Sequence, residues 1–171
     1  MVIAYTVIRY NVILFNVIRY NVILCSLICF NVILHNVTHY IVILYNVTRC
    51  MVIVYNDIHY NVMLSNVIRY NVILTNVICF TVILHNVKRY NVILYNVTRC
   101  MVIAYNVIRY IVILFNVIRY NVILYIVVCF NVILHNVTHY IVILYNVTRC
   151  MVIVYNDIRY NVYYLTLYVI T

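Results

Sequence analysis

The sequence predicts an all-β protein with a repetitive β-solenoid or stacked-strand architecture built on 5- and 10-residue repeats. Three observations predict this fold class. Side-chain types recur with a period of ten, the strand-forming residues Val, Ile, Tyr, Phe and Thr dominate, and nearly all charged side chains occupy odd-numbered positions. The 171 residues are 69% apolar and include neither Gly nor Pro, so the two residues that most often form turns are missing.

The shortest repeat is a five-residue unit of the form Asn-Val-Ile-x-x, as at 11–15 and 66–70. Successive units alternate in their last two residues, which gives a fuller period of ten, and Val stands at every tenth position from Val2 to Val162. A longer period of 50 divides the chain into blocks. We predict a tandem-repeat region at 1–162, with blocks 1–50, 51–100 and 101–150 and a partial block 151–162, followed by a divergent tail at 163–171.

The period of ten distinguishes strand from helix. In an α-helix each residue turns by about 100°, so Arg residues ten positions apart point in directions roughly 80° apart and form no polar stripe. In an extended strand an even period returns each side chain to the same side. All ten Arg, all six His and both Asp then share the odd-numbered face. The apolar even-numbered face carries Val2, Leu14, Ile18, Tyr20 and their equivalents, with Lys88 as its single charge.

Asn is the only abundant residue of this chain that readily adopts left-handed backbone geometry, so Asn at every fifth position predicts regularly spaced corners. The segment 10–14, Tyr-Asn-Val-Ile-Leu, resembles the unit of the pentapeptide-repeat family, in which a small residue, Asn or Asp, and Leu or Phe precede two variable residues. The resemblance covers most of the chain and implies a four-sided, right-handed β-helix. The chain departs from the family where Tyr, Phe, His or Cys replaces the small inward residue, because a narrow coil has no room for these side chains.

A coil made of two ten-residue periods would also stack charged side chains along the solenoid. Arg9 would then share one column with Arg49, Arg69, Arg89 and Arg109. Neighbouring rungs of such a stack lie roughly 4.8 Å apart. At that distance like charges repel by about 1 kcal/mol even in water.

The tail indicates how the repeats arose. If the unit Asn-Val-Ile-Arg-Tyr is written AAC GTT ATA CGT TAT, most variants in the chain differ by one base. Reading the same bases one position later yields Thr-Leu-Tyr-Val-Ile-Thr, the sequence of 166–171. The leading hypothesis is a low-complexity tandem-repeat protein translated from satellite-like DNA, with no specific biochemical function indicated. Two alternatives remain open, a structural or interaction β-solenoid protein and a small membrane-associated protein.

The composition argues against catalysis, and we predict that the protein is not an enzyme. Asp57 and Asp157 are its only acidic residues, which excludes a paired-carboxylate site within one chain. Without Gly there is no phosphate-cradling loop and no dinucleotide fingerprint. The seven Cys form no Cys-x-x-Cys pair, and His35 and His39 lie too far apart on a strand to hold one ion. We predict no catalytic, cofactor-binding or metal-binding residues and no cofactor.

Charge and hydropathy favour three kinds of interaction, none with a specific partner. A net charge of +9 favours non-specific binding of polyanions. Long apolar strands without Gly or Pro favour self-association through β-strands, so we expect the isolated protein to be insoluble. Charge-free windows at 20–34, 70–84 and 120–134 favour membrane association, but each has about 15 residues, fewer than the roughly 20 that a membrane helix needs.

Overall fold

The structure, a computed structural model, describes residues 1–156 and 159–165. The regular structure in this part of the chain is entirely β-strand, which confirms the predicted fold class. The elements are β1 (Val2–Phe15), β2 (Arg19–His35), β3 (His39–Tyr55), β4 (His59–Tyr155) and β5 (Arg159–Leu165). They form one parallel sheet in the order β1-β2-β3-β4-β5. The 97 residues of β4 are not one straight strand but wind through several successive coils.

One coil of the solenoid spans two ten-residue periods, as the sequence predicted. Val2 pairs with Val22, Val22 pairs with Val42, and Val142 pairs with Val162, always in parallel. The described chain makes about 8 such turns. Because a coil holds a whole number of periods, each coil places the same classes of side chain directly above those of the coil before it.

The chain bends at a left-handed residue once in every ten positions. The backbone angle φ lies between 51° and 55° at every position whose number ends in six, from Thr6 to Asn156. Most of these residues are Asn, as expected, because its short polar side chain tolerates this conformation. The second Asn of each ten-residue period, such as Asn11, is extended within a strand. Corners of this kind therefore occur at every tenth residue and not at every fifth.

Inward and outward side chains alternate along each coil except at two places in every ten residues. In one half-coil Tyr110, Val112, Leu114 and Val117 are buried, and the pairs at 115–116 and 118–119 each place two consecutive side chains outward. Such doubled outward positions mark bends in the chain, four per coil. In the burial pattern, stretches with three inward residues alternate with shorter stretches that have one.

Because of these bends, the predicted division into an odd-numbered and an even-numbered face is wrong at several positions. The left-handed residue shifts the alternation by one position, so Val37 is 1% exposed whereas Ile18, expected on the apolar face, is 74% exposed. Lys88 is exposed as well. Asp57, expected on the charged face, is buried. The expectation was wrong at these positions because it treated the whole repeat as one uninterrupted strand.

The interior holds the large aromatic residues for which a narrow coil was expected to have no room. Tyr60 and Tyr70 are fully buried, and their hydroxyl oxygens lie 2.9 Å apart, so two rings placed end to end span the inside of a coil. Between coils the rings stack face to face, with the centroids of Tyr40 and Tyr60 separated by 5.4 Å and their planes 5° apart. The expectation was wrong because the interior of a coil is wide enough for two rings placed end to end, and along the axis each ring needs only about one coil spacing.

The last strand continues past the repeat region. β5 extends through Tyr163 to Leu165, and Tyr163 pairs with Ile143 in the same register as the preceding repeats. The boundary predicted between 162 and 163 therefore falls within a strand. The rest of the tail, 166–171, and Asp157 lie outside the described residues.

Candidate functional site

Two ladders of Asn side chains run along the outside of the solenoid at the left-handed corners. In each ladder the Nδ2 group of one Asn donates to Oδ1 of the equivalent Asn in the coil before it, at 3.0–3.2 Å. One ladder runs from Asn16 to Asn136 and the other from Asn46 to Asn106. Because every amide donates in the same direction, each ladder has a donor end and an acceptor end.

β1 and β5 are the edge strands of the sheet. The backbone N–H groups of Thr38 and His39 donate to the carbonyls of Val17 and Ile18 in the coil before them, at 3.0 and 2.9 Å. Because successive coils are equivalent, the N–H groups of Ile18 and Arg19 point away from the rest of the sheet. The first coil therefore presents backbone donors and exposed apolar side chains at an open edge.

Arginine side chains form columns along the outer surface. The register places Arg9, Cys29, Arg49 and Arg69 on successive coils, which confirms the expected column and shows that a Cys interrupts it. The Arg side chains of this column are exposed. Asp57 is the only acidic residue in the described part of the chain and it is buried, so these guanidinium groups have no acidic partner there.

The Cys side chains are thiols and occupy different environments. Cys50 and Cys100 point into the interior, where burial raises the pKa of each thiol well above its usual value and keeps it protonated. Cys25 lies outside, in a column between Tyr5 and Tyr45. A third group is half-buried at the positions where Arg or His stands in other coils: Cys29, Cys79 and Cys129.

The two His residues considered from sequence, His35 and His39, lie in different columns. His35 packs beside Phe15, with ring centroids 5.8 Å apart, and His39 packs beside His59, with centroids 4.9 Å apart. The spacing of His39 and His59 by two ten-residue periods was the signal for this pairing. No cluster of three or more His, Cys and acidic side chains suited to a metal ion occurs in residues 1–156 and 159–165.

Asp57 replaces the inward Val of its coil and is the one charged residue in the described core. Burial raises the pKa of its carboxyl group from 3.8 to about 7, and the nearby N–H groups of Ile58 and His59 oppose this only in part. Those two groups donate instead to the carbonyls of Val37 and Thr38. The carboxyl group is therefore held in an apolar column without a hydrogen-bond partner.

No protein-family model matches the chain, and neither a characterised protein nor a solved structure matches it at a significant level. Within the described residues the structure contains no helix with the length and hydropathy that crossing a membrane would require.

Proposed function

We propose that this protein is a structural β-solenoid that assembles head to tail with further copies of itself through the edges of β1 and β5. The observation that carries the proposal is the polarity of the stack. The ladder from Asn16 to Asn136 has its donor end in the first coil and its acceptor end one coil before β5, and backbone N–H groups of the first coil point out of the sheet. When one surface of a protein binds a different surface of the next copy and the copies do not close into a ring, such contacts build fibres.

Burial in the first coil supports the same proposal. Val2, Ala4 and Tyr10 are inward residues that are only half-buried, although their equivalents deeper in the stack are covered on both sides. The first coil carries the same apolar repeat as the coils deeper in the stack, so a second copy stacked on β1 would bury this apolar cross-section.

Two single substitutions test the proposal with the same change in charge. Ala4→Lys places an ammonium group in the apolar cross-section that a second copy would cover, whereas Ile3→Lys places it on the outer side of the same strand. We expect Ala4→Lys to reduce the rate of fibre growth at least about tenfold, since a buried unpaired charge is strongly unfavourable. Ile3→Lys should change this rate much less. Light scattering and electron microscopy measure growth from wild-type seeds.

Two controls make the result decisive. The far-ultraviolet circular dichroism of both variants should keep the β-sheet signal of the wild type, because a Lys at position 4 can extend out of the open coil. Fibres that incorporate Ala4→Lys as fast as Ile3→Lys would overturn head-to-tail stacking through β1. A wild-type protein that stays monomeric in concentrated solution at physiological ionic strength would also overturn it.

The origin of the repeats is a separate proposal, supported by the single-base relationships among units and by the frame-shifted reading of 166–171. Blocks 1–50 and 101–150 are nearly identical as protein. If both were copied from satellite-like DNA, their codons should be nearly identical too. Codons scrambled synonymously between the two blocks would mean that the amino-acid sequence itself was selected.

A further inference from the structure

Three Cys residues recur at the 50-residue interval of the long repeat, at positions where other coils carry Arg or His: Cys29, Cys79 and Cys129. Because this interval is two and a half coils, Cys29 and Cys129 fall on one half of the coil and Cys79 on the opposite half. Each replaces a long side chain with a short one. The surface has a cavity at each of them, with volumes of about 340, 440 and 280 Å³ at Cys29, Cys129 and Cys79.

The cavity at Cys29 lies between two arginines of one column. Arg9 is its partner in the coil before and Arg49 in the coil after, so the two Arg backbones are roughly 10 Å apart. Asn31 forms part of the wall, where it donates to Oδ1 of Asn11 at 3.2 Å and its own Oδ1 lies 3.7 Å from the Cys29 thiol. Cys29 lines the cavity together with the arginine of the coil before it and the arginine of the coil after it.

The cavity at Cys129 repeats this arrangement in another part of the chain. Arg109 and Arg149 line it, and the Cys129 thiol lies 3.6 Å from Oδ1 of Asn131. Ile111 stands where the first cavity has Asn11, so the wall is less polar there. The shared features of the two cavities are therefore the Arg pair, the thiol and one Asn amide.

Charge determines what such a cavity attracts. The paired guanidinium groups are exposed, they repel one another, and no acidic side chain of the described chain reaches them. A guanidinium group binds carboxylate or phosphate through two parallel hydrogen bonds. A ligand with oxyanion groups at both ends could engage one Arg on each side and remove their repulsion.

We propose that the cavities at Cys29 and Cys129 bind small molecules with two oxyanion groups, carboxylate or phosphate, one on each guanidinium group and with the thiol beneath. Where the bound molecule is also a disulfide, the site directs a covalent step. The Cys thiol gives its proton to solvent, its sulfur attacks one sulfur of the ligand and the ligand's S–S bond breaks. One half of the ligand stays as a mixed disulfide and the other leaves as a thiolate.

Variants of the full-length chain with a single surface thiol test this, and both keep the buried Cys50 and Cys100. One retains Cys129 and the other retains Cys25, which lies between two tyrosines, and the remaining surface Cys residues are changed to Ser in both. Each is treated with dithiobis-nitrobenzoate, which carries two carboxylates, and with the uncharged dithiodipyridine. At low salt we expect the ratio of anionic to neutral reagent rate to be about tenfold higher at Cys129 than at Cys25. This excess should disappear in high salt.

Arg109→Gln and Arg149→Gln identify the groups responsible. Each should lower the ratio at Cys129 and leave the ratio at Cys25 unchanged. Inorganic pyrophosphate, a non-reactive competitor with two phosphate groups, should slow the reaction of Cys129 with the neutral reagent but not that of Cys25. Equal ratios at the two thiols, or a ratio at Cys129 that neither Gln variant changes, would overturn the proposal. Circular dichroism checks that every variant keeps the β-sheet signal.

Discussion

The first coil and a coil near the middle of the chain have almost the same sequence and different environments. Segments 1–20 and 101–120 differ only at the sixth and eleventh positions. In the middle coil Tyr110 is fully buried and its hydroxyl lies 2.6 Å from that of its neighbour in the coil, whereas Tyr10 is only half-buried and the matching distance is 3.2 Å. The repeat does not bury its own apolar face, because burial comes from the coils above and below.

The largest expected effect comes from truncating the same tyrosine in both coils. Tyr110→Ala removes a ring that packs against an aromatic ring of the coil on either side and should lower the free energy of unfolding by about 3–5 kcal/mol. Tyr10→Ala should cost less than half as much, since one side of its ring has no neighbouring coil. Urea denaturation followed by circular dichroism measures both. Both measurements use dilute, unassembled protein, and equal losses there would contradict the one-sided burial of Tyr10.

Asp57 shows how a carboxyl group in the core affects the stability of the fold. Its folded-state pKa of about 7 lies above the unfolded value near 3.8, so the folded state binds the proton more tightly. Stability should therefore be highest below about pH 4, fall as the pH rises from about 4 to 7, and level off above that. Asp57→Val should stabilise the protein by about 2–4 kcal/mol at pH 8 and by much less at pH 4.

A matched control extends this prediction to the edge of the stack. Val17→Asp and Val117→Asp introduce the same carboxyl group at equivalent inward positions, half-buried in the first coil and fully buried in the middle. The loss of stability at pH 8 should be smaller for Val17→Asp, because its carboxyl group keeps more of its hydration. A pH-independent midpoint of urea denaturation for Asp57→Val and wild type alike would contradict the buried carboxyl group.

The sixth position of the coil is one of the two natural differences between these segments. Thr6 and Asn106 both have positive φ, at 55° and 53°, and a β-branched residue is disfavoured there. Asn106→Thr should cost about 1–2 kcal/mol, from backbone strain and the lost ladder bond to Asn86. Thr6→Asn should stabilise the first coil by a smaller amount. Native-state hydrogen exchange resolves the two coils, and opposite signs of the two changes are the expected outcome.

The smallest effects concern buried hydroxyl groups. Tyr70 shares a hydrogen bond with Tyr60, so Tyr70→Phe should cost about 1 kcal/mol. The hydroxyl of Tyr90 is buried without a partner, so Tyr90→Phe should be neutral or slightly stabilising. Burial raises the pKa of both phenols well above the usual value, so neither effect should change between pH 6 and 9. A larger loss of stability for Tyr90→Phe than for Tyr70→Phe would contradict the assignment of the hydrogen-bonded hydroxyl group to Tyr70.

The fold class and the coil length could be read from the repeat because an even period of ten fits a pleated strand and stacks on itself after every second period. The inward position of Val37 could not be read from the repeat, because it depends on the left-handed residue that precedes it. Asp57 was placed on the charged surface for the same reason. The cavities beside Cys29 and Cys129 needed the register, since Arg9 and Arg49 are far apart in sequence and become neighbours of one thiol only when coils stack.

Local sequence determined the period and the strand preference, because each depends on a residue and its nearest neighbours. Only the tertiary stack decided which side chains are buried, which tyrosine hydroxyl groups form hydrogen bonds with each other and which arginines face each other across a cavity. The reason is that a solenoid coil has no interior of its own. Its inner side chains lose water only when identical side chains cover them along the axis, and segments 1–20 and 101–120 show how one sequence takes two environments from its place in the stack.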